Sequence, residues 1–350
     1  MLARPDTDDG AVAEKVAFLS RAGAYPGHGG TVGVRETHMS WVFFVGERVY
    51  KLKKPVRFSY LDFSTLAHRE IACRAEYALN RALARDVYLS VVPLVRREGR
   101  LALGGDGQVV DWLICMRRLD ESRSLEALAL TGAVTAAELD QVAALLARFY
   151  RHARRARLRP EAQLLGWRAA IEENGAVLLQ PQLGLPAGQV RAVLAVQRRF
   201  LRIRHGLLAG RLRARAIVDA HGDLRPEHVW IGPPVRIIDR LEFSARLRAQ
   251  DPVEELGFLR LELERLGAPR AGARIVRRSG WALNLRPAAE LVLFYRCYRA
   301  TLRARLAIAH LLDPAPRTPA KWRPQARAYL DLALAAGLEL GVRLRRPEGR

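Results

Sequence analysis

The chain has 350 residues, of which 50% are hydrophobic and 27% are charged, and its formal net charge is +22 at pH 7. This length and composition are sufficient for two domains or one large bilobal one, and they exclude a globally disordered chain. The three cysteines have no pairing or metal-ligand spacing, no apolar run could span a bilayer, and residues 1–10 lack a secretory signal pattern, so we expect a cytoplasmic protein with no membrane association.

The first third of the chain predicts β-structure with one helix. Short β-rich runs occupy residues 31–37, 40–45, 48–53, 88–95 and 109–116. Gly46-Glu47 makes a tight hairpin between the second and third runs, and a glycine-rich turn at residues 104–107 separates the last two. Between these groups, apolar residues recur at helical spacing after a candidate N-cap, Ser64, and Glu76 lies on this helix.

Two lysines share one face of the third strand. Because side chains alternate along a strand, Tyr50 and Leu52 point to one side and Lys51 and Lys53 to the other. Such a pair indicates either a solvated surface or a site that faces phosphates. The strand pattern by itself favours the solvated surface.

After residue 118 the pattern becomes mainly helical. Helices are predicted at residues 135–155, 188–208, 251–267, 287–312 and 321–338. Thr135 and Glu138 form a capping box, and Asp251 precedes Pro252 at a position typical of an N-cap. The exception is a small hairpin predicted from the apolar runs at residues 229–231 and 235–238.

The most informative motif is His-Gly-Asp-Leu-Arg-Pro-Glu-His at residues 221–228. Asp223 lies in a tight loop, and Asp239 follows sixteen residues later at the end of a strand-like run. This spacing fits a phosphoryl-transfer centre, in which one carboxylate orients a hydroxyl and another holds a metal on the nucleotide phosphates. Alone, Asp223 could instead cap a turn, and His221 is expected to fix the loop by hydrogen bonding.

Several stretches carry a family resemblance. They are ETHMSWVF at 36–43, YKLKKP at 50–55, LDFST at 61–65, YLSVVP at 88–93, the motif at 221–228, ID at 238–239 with LEF at 241–243, and DPVEEL at 251–256. In them the chain resembles the aminoglycoside phosphotransferase-like family. The resemblance implies an α+β, bilobal protein-kinase-like fold, with a small antiparallel-sheet lobe for nucleotide at residues 1–118 and a larger, mainly helical catalytic and substrate lobe at 119–350.

The resemblance also implies roles in nucleotide binding. Lys53 matches the third-strand lysine that contacts the α- and β-phosphates, and Lys51 takes this role if the register differs by two. Glu76 matches the helix acid that holds that lysine in place. Met116 and its neighbours match the hinge that contacts the adenine edge through the backbone.

Roles in catalysis and metal binding follow in the same way. Asp223 matches the acid that accepts or orients the proton of the substrate hydroxyl, and Asp239 matches the metal-binding acid. Glu242 either assists Asp239 or faces solvent. His228 stands where an Asn usually supplies the second metal ligand, and imidazole suits Mg²⁺ poorly. An oxygen from Glu227, a Mn²⁺ ion or a single-metal site would each accommodate this change.

The implied activity is transfer of the ATP γ-phosphate to a hydroxyl of a small molecule, with Mg²⁺ or Mn²⁺. The alternative is a nucleotide-binding pseudokinase that acts through a protein partner, because His228 could weaken the metal site. No glycine-rich phosphate loop lies between the first two strands, where the segment is 36–40.

Charge bears on the substrate and partners. Most of the 58 basic residues are arginines spread along the chain without interleaved aromatic residues, so a nucleic-acid partner is not expected. Aminoglycosides are polycations that need clustered acids. The main acid cluster follows helical spacing typical of structural or solvated positions, and comprises Glu254, Glu255, Glu262 and Glu264. A neutral or anionic hydroxyl compound is therefore the predicted substrate.

Overall fold

The structure is a computed structural model that describes residues 9–58, 60–314 and 316–345, so most of the segment examined for a secretory signal lies outside the described residues. The helices are α1 (Asp9–Leu19), α2 (Leu66–Asn80), α3 (Leu125–Leu130), α4 (Ala136–His152), α5 (Pro160–Leu178), α6 (Ala187–Ile203), α7 (His205–Arg213), α8 (Ala245–Arg248), α9 (Pro252–Arg265), α10 (Pro269–Ala282), α11 (Ala289–Ala309) and α12 (Pro319–Arg343). The strands are β1 (Val32–Glu36), β2 (Ser40–Val45), β3 (Arg48–Lys53), β4 (Arg57–Phe58), β5 (Leu61–Asp62), β6 (Tyr88–Arg97), β7 (Arg100–Leu103), β8 (Gln108–Arg117), β9 (Val218–Asp219), β10 (Val229–Trp230), β11 (Arg236–Ile237) and β12 (Ala249–Gln250).

The chain divides into two compact units. Unit 1 comprises Met1–Ser124 with His228–Arg248, and unit 2 comprises Leu125–Glu227 with Ala249–Arg350. The hairpin of β10 and β11 therefore belongs to unit 1, although it follows the 221–228 motif directly. The lobe boundary expected at residues 118 and 119 stays a prediction.

Unit 1 is built on a six-stranded antiparallel sheet in the order β1-β2-β3-β8-β6-β7. The β2–β3 hairpin pairs Val45 with Arg48, and Gly46 at its turn has a φ of 55°, in the left-handed region that glycine adopts without strain. Five strands were expected, and this was wrong. The additional strand, β7, returns from β6 after a two-residue turn at Glu98 and Gly99, and the arginines that pair beside this turn, Arg97 and Arg100, interrupt the β-rich pattern of the sequence.

The two faces of this sheet bury different clusters. Tyr50 and Leu52 pack on the face that also buries Leu19 at the end of α1. On the opposite face Val49 packs with Cys73 of α2. Since Lys51 and Lys53 share the side of Val49, they point toward α2 and not into solvent.

Helix α2 begins one residue later than expected. The side chain of Thr65 accepts a hydrogen bond from the backbone N–H of His68 at 3.1 Å and is the N-cap. Ser64, the predicted cap, instead donates from its hydroxyl and its backbone N–H to Asp62 Oδ1 at 2.6 and 3.0 Å. The neighbouring acid thus competes for the hydroxyl that would otherwise cap the helix.

Unit 2 is mainly helical and is organised around α11. The inner face of α11 is buried from Leu291 to Ile308, and the ring of Phe294 stacks on Phe200 of α6 with centroids 4.2 Å apart. The predicted capping box at Thr135 is confirmed, as is the Asp251 cap of α9, which accepts from the N–H of Val253 at 2.9 Å. In the described part of the chain, no helix combines the length and apolar character needed to cross a bilayer.

Candidate functional site

Lys51 connects two acids from different parts of unit 1. Its Nζ donates to Glu76 Oε1 on α2 at 2.9 Å and to Asp239 Oδ1 after β11 at 2.8 Å. Strand β3 supplies the lysine because its alternation aims residue 51 at α2. The pattern of the strand had favoured a solvated lysine face, and this was wrong for Lys51, whose side chain is 17% exposed.

Lys53 makes a second, deeper set of contacts. Its Nζ donates to Glu76 Oε2 at 2.6 Å and also to Glu242 Oε1, and it lies 4.8 Å from the ring centroid of Phe63. The Lys53 side chain is 1% exposed and that of Glu76 is fully buried. The two lysines and three acids form one alternating chain, in the order Asp239, Lys51, Glu76, Lys53, Glu242; we call it the β3 ion network.

Ion pairing opposes burial in the β3 ion network, and it prevails at Lys51 and Glu76 but not at Glu242, where burial raises the pKa of the carboxyl group. Burial lowers the pKa of Lys51, but the carboxylates of Asp239, Glu76 and Glu242 outweigh burial and hold that pKa well above its usual value. Burial raises the pKa of Glu76, and the two ammonium groups reverse this, so its pKa lies below the usual value. Glu76 is therefore a carboxylate shared by two ammonium groups.

Asp239 is the most accessible member of the β3 ion network. Its side chain is 45% exposed, and its φ is 63°, a left-handed conformation that is uncommon for a residue with a Cβ. Its backbone N–H donates to the hydroxyl oxygen of Tyr88 at 3.1 Å, and the next N–H, of Arg240, donates to Asn80 Oδ1 at 2.8 Å. The buried side chains of Tyr88 and Asn80 thus hold this backbone, a role that the sequence did not reveal.

The predicted metal ligands are only partly assembled. His228 Nε2 lies 3.6 Å from Asp239 Oδ2, whereas Glu242 is bound to Lys53. Among the described residues no group of three or more His, Cys, Asp or Glu side chains is arranged to hold a metal ion. An Mg²⁺ site built from one carboxylate, phosphate oxygens and water does not require such a group. Asp239 fits such a site better than Glu242 does, because its side chain is 45% exposed whereas Glu242 is bound to Lys53.

The 221–228 motif is held by one buried acid in unit 2. Glu255 on α9 accepts from the backbone N–H of His221 at 3.1 Å and of Gly222 at 2.6 Å, and from the hydroxyl of Tyr150 at 2.7 Å. Glu255 is fully buried. The sequence indicated Glu255 only as part of a helix start, because its contact with the motif joins residues 33 positions apart.

Asp223 has charged neighbours within its own motif. Arg225 Nε donates to Asp223 Oδ2 at 2.9 Å, and its Nη1 lies 2.6 Å from Glu227 Oε1. The Asp223 side chain is 27% exposed. Glu227 is thus paired with Arg225 in unit 2. This ion pair competes with the use of Glu227 as a substitute metal ligand.

Met116, the expected hinge residue, lies on β8 opposite Val49 of β3. Its side chain belongs to the apolar cluster on the α2 face of the sheet. The two following backbone N–H groups are occupied, since Arg117 donates to the carbonyl of Val87 and Arg118 to that of Glu47, both at 2.8 Å. The adenine-contacting role of Met116 stays a prediction.

An antiparallel sheet unit whose helix α2 carries Glu76, and a mainly helical unit that carries residues 221–227, are features of the protein-kinase-like fold. A solved structure of a choline/ethanolamine kinase family protein from Mesorhizobium loti is similar, with a TM-score of 0.54, 18% identity and coverage of 97% of this chain and 96% of that one. A microcompartment-associated aminopropanol kinase matches with a TM-score of 0.50, 16% identity and coverage of 96% and 100%. The predicted α+β, protein-kinase-like fold is confirmed.

Sequence comparison adds relatives but no family model. An uncharacterised protein of Mycobacterium tuberculosis is 32% identical over 295 residues, which cover 83% of this chain and 57% of the relative. The chain thus spans a little over half the length of the relatives it matches. No protein-family model matches the chain.

Proposed function

We propose that this protein transfers the γ-phosphate of ATP to a hydroxyl group of a small molecule. The fold supports this, because the similar solved structures include proteins named as choline/ethanolamine and aminopropanol kinases. The observation that carries the proposal is the double contact of Lys51 Nζ with Glu76 and Asp239. It pairs a candidate phosphate-binding lysine with the acid of α2 and brings it to a candidate metal-binding acid, and phosphoryl transfer in protein kinases needs both the lysine–glutamate pair and the metal-binding acid in place.

Lys51, rather than Lys53, is the proposed phosphate ligand. An ammonium has three N–H donors, and Lys51 uses two of them on Glu76 and Asp239. It is partly exposed and is paired with the most accessible acid of the β3 ion network. Lys53 is 1% exposed and its Nζ lies over the ring of Phe63, so Lys51 is the more accessible of the two lysines.

Asp223 is the proposed catalytic residue. Its half-buried carboxylate lies in a loop whose preceding N–H groups are fixed by Glu255, which limits the motion of the side chain. Asp223 would orient the substrate hydroxyl and accept its proton as the hydroxyl oxygen bonds to the γ-phosphorus and the bond from that phosphorus to the leaving oxygen of ADP breaks. No covalent intermediate is required, since positioning and charge stabilisation account for catalysis of this kind.

The divalent ion expected with ATP would be held by Asp239. When bound, such an ion would supply positive charge that offsets the negative charge of the phosphates. Asp239 offers a half-exposed carboxylate for this, whereas Glu242 is committed to Lys53. His228, close to Asp239 Oδ2, favours an ion that accepts nitrogen as well as oxygen, and Mn²⁺ does so more readily than Mg²⁺.

The substrate is proposed to be a neutral or anionic hydroxyl compound. The acids that could have bound a polycation are used within unit 2: Glu254 pairs with Arg299 at 2.8 Å, and Glu255 binds Tyr150 and the motif. Glu262 accepts from the hydroxyl of Tyr329 at 2.7 Å. Measurable phosphorylation of an aminoglycoside panel at ordinary kinase rates would contradict this part of the proposal.

The test combines nucleotide binding and turnover. Thermal unfolding of the full chain is measured with ATP and either Mg²⁺ or Mn²⁺, and phosphate transfer is followed with a panel of small hydroxyl compounds. We expect ATP to raise the unfolding temperature, and Asp223→Asn to lower kcat by roughly 10²–10⁴-fold while nucleotide binding is kept. Turnover unaffected by Asp223→Asn would refute the mechanism.

A second candidate is a nucleotide-binding protein without catalysis. The position of His228 near Asp239 favours it, because a ring nitrogen occupies the place where a hard oxygen ligand would serve magnesium. The same experiment decides between the two. Stabilisation by ATP without turnover on any acceptor, with either metal, would select this candidate.

A further inference from the structure

We propose that Lys53 and Glu242 are a positioning pair that orients Glu76 and the segment after β11, and thereby places Lys51 and Asp239 for phosphate and metal. This inference rests on the proposed function and deepens it. The pair touches neither group that faces a ligand. Its role would be exerted through Glu76 on one side and through the chain from Asp239 to Glu242 on the other.

The donors of Lys53 are all directed inward. Two reach Glu76 Oε2 and Glu242 Oε1, and the third side of the ammonium faces the ring of Phe63 at 4.8 Å. A buried lysine with this environment cannot serve a diffusing ligand. Its charge is instead used to bind two carboxylates at once.

Glu76 needs a partner on each oxygen. Its side chain is fully buried, and Lys51 binds Oε1 while Lys53 binds Oε2. With Lys53 absent, Oε2 would be left unpaired, and the carboxylate could rotate to share both oxygens with Lys51. That rotation would draw Lys51 away from Asp239, so the second lysine fixes the direction of the first.

The pair also fixes the segment after β11 at a second point. Lys51 and Lys53 stand two residues apart on one face of β3, and they bind Asp239 and Glu242, three residues apart in sequence. Arg248 Nη1 donates to the carbonyl of Leu241 at 2.8 Å within the same segment. Attachment at both ends restrains the backbone that presents Asp239.

Electrostatics explain why an extra pair can be present. The β3 ion network has three carboxyl and two amino groups, so its formal net charge with all five ionised is −1. Removing Lys53 and Glu242 together leaves two carboxylates and one ammonium, again −1. The pair therefore fixes the positions of Lys51 and Asp239 without altering the formal net charge that a metal ion and phosphates would meet.

The test uses Lys53→Met, the double variant Lys53→Met/Glu242→Gln, and Lys54→Met as a matched control. Lys54 is the next residue and is also largely buried, but it pairs with Glu36 outside the β3 ion network. Urea unfolding, kcat and KM for ATP, and hydrogen exchange of the amides at 239–243 are measured. Exchange is measured without nucleotide, so it reports positioning even if turnover is absent.

We expect Lys53→Met to be destabilised because it leaves Glu242 and one oxygen of Glu76 without a partner, and the double variant to regain part of that stability because the unpaired charge at Glu242 is removed. Despite its partly recovered stability, the double variant should exchange faster at 239–243 and lose about 10- to 100-fold in kcat/KM for ATP, since small misplacements of catalytic groups have effects of this size. Lys54→Met should match the wild type in hydrogen exchange at 239–243 and in kcat/KM for ATP.

Wild-type exchange at 239–243 in a folded double variant would overturn the inference, as would wild-type kcat/KM in that variant. Absence of nucleotide binding and turnover in the wild type would instead refute the proposed function, while the exchange comparison would still decide the positioning role. The two failures are thus distinguishable.

Discussion

Replacement of Glu255 should loosen the 221–228 motif more than its small chemical change suggests. Glu255 is fully buried and receives three hydrogen bonds, from the N–H groups of His221 and Gly222 and from the hydroxyl of Tyr150. Gln at this position keeps one acceptor oxygen but places an NH₂ group where the other oxygen stood. Whichever way the amide is turned, one backbone N–H of the motif loses its acceptor.

The magnitude follows from the number of donors left without a partner. A buried donor left unsatisfied costs about 1–3 kcal/mol, so Glu255→Gln should lower the free energy of unfolding by about that amount. Glu255→Ala leaves all three donors without an acceptor and should lower the free energy of unfolding by roughly 3–9 kcal/mol. This is a large share of the 5–15 kcal/mol typical of a folded protein. Tyr150→Phe is the matched control, because it removes one hydrogen bond and leaves both backbone N–H groups paired.

Urea unfolding and hydrogen exchange at His221 and Gly222 provide the assay, with kcat as a third measurement once an acceptor is known. We expect at least one of these two amides to exchange faster in Glu255→Gln than in Tyr150→Phe, and kcat to fall in Glu255→Gln because the loop carries Asp223. An unfolding free energy for Glu255→Gln within about 0.5 kcal/mol of the wild type would refute this reasoning. So would equal effects of Glu255→Gln and Tyr150→Phe on exchange at both amides.

Two further predictions concern packing and the cysteines. A Cβ at Gly272 on α10 would lie 2.9 Å from Arg260 Cα on α9, so Gly272→Ala should lower the free energy of unfolding by about 1–3 kcal/mol. At Gly280 on the same helix a Cβ would meet nothing within 4 Å, so Gly280→Ala is the control and should be neutral or slightly stabilising. Urea unfolding of both variants tests this. All three cysteines are free and buried, and burial raises the pKa of Cys73 and of Cys297 to about 12. Native protein at pH 8 should therefore show no fast reaction with a thiol-specific disulfide reagent, and urea-unfolded protein should react at every cysteine; rapid native labelling would contradict this burial.

Local sequence patterns were sufficient to predict most of the helices and strands. The alternation of β3, the Gly46 hairpin, the Thr135 capping box and the Asp251 cap each depend on residues within a few positions of one another, and each was predicted from the sequence and found in the structure. The misses have local causes too. Strand β7 was missed because charged residues flank its turn, and Ser64 was diverted from its capping role by Asp62.

The sequence predicted which residues lie together at the candidate site better than it predicted which of them form ion pairs with each other. Lys51, Lys53, Glu76, Asp239 and Glu242 were all named, and the structure brings them into one network. The order in which they pair could not be predicted, because both lysines share a strand face and differ only in what surrounds them.

The sequence by itself determined that two lysines face one side of β3, that acids follow at residues 76, 223 and 239, and that the chain is mixed α and β. These properties depend on strand and helix periodicity, which is local. Tertiary structure decided that Lys53 is buried beside Phe63, that Lys51 binds the exposed Asp239, and that Glu255 holds the 221–228 motif. Those contacts join residues distant in the chain, and only packing establishes which donor reaches which carboxylate.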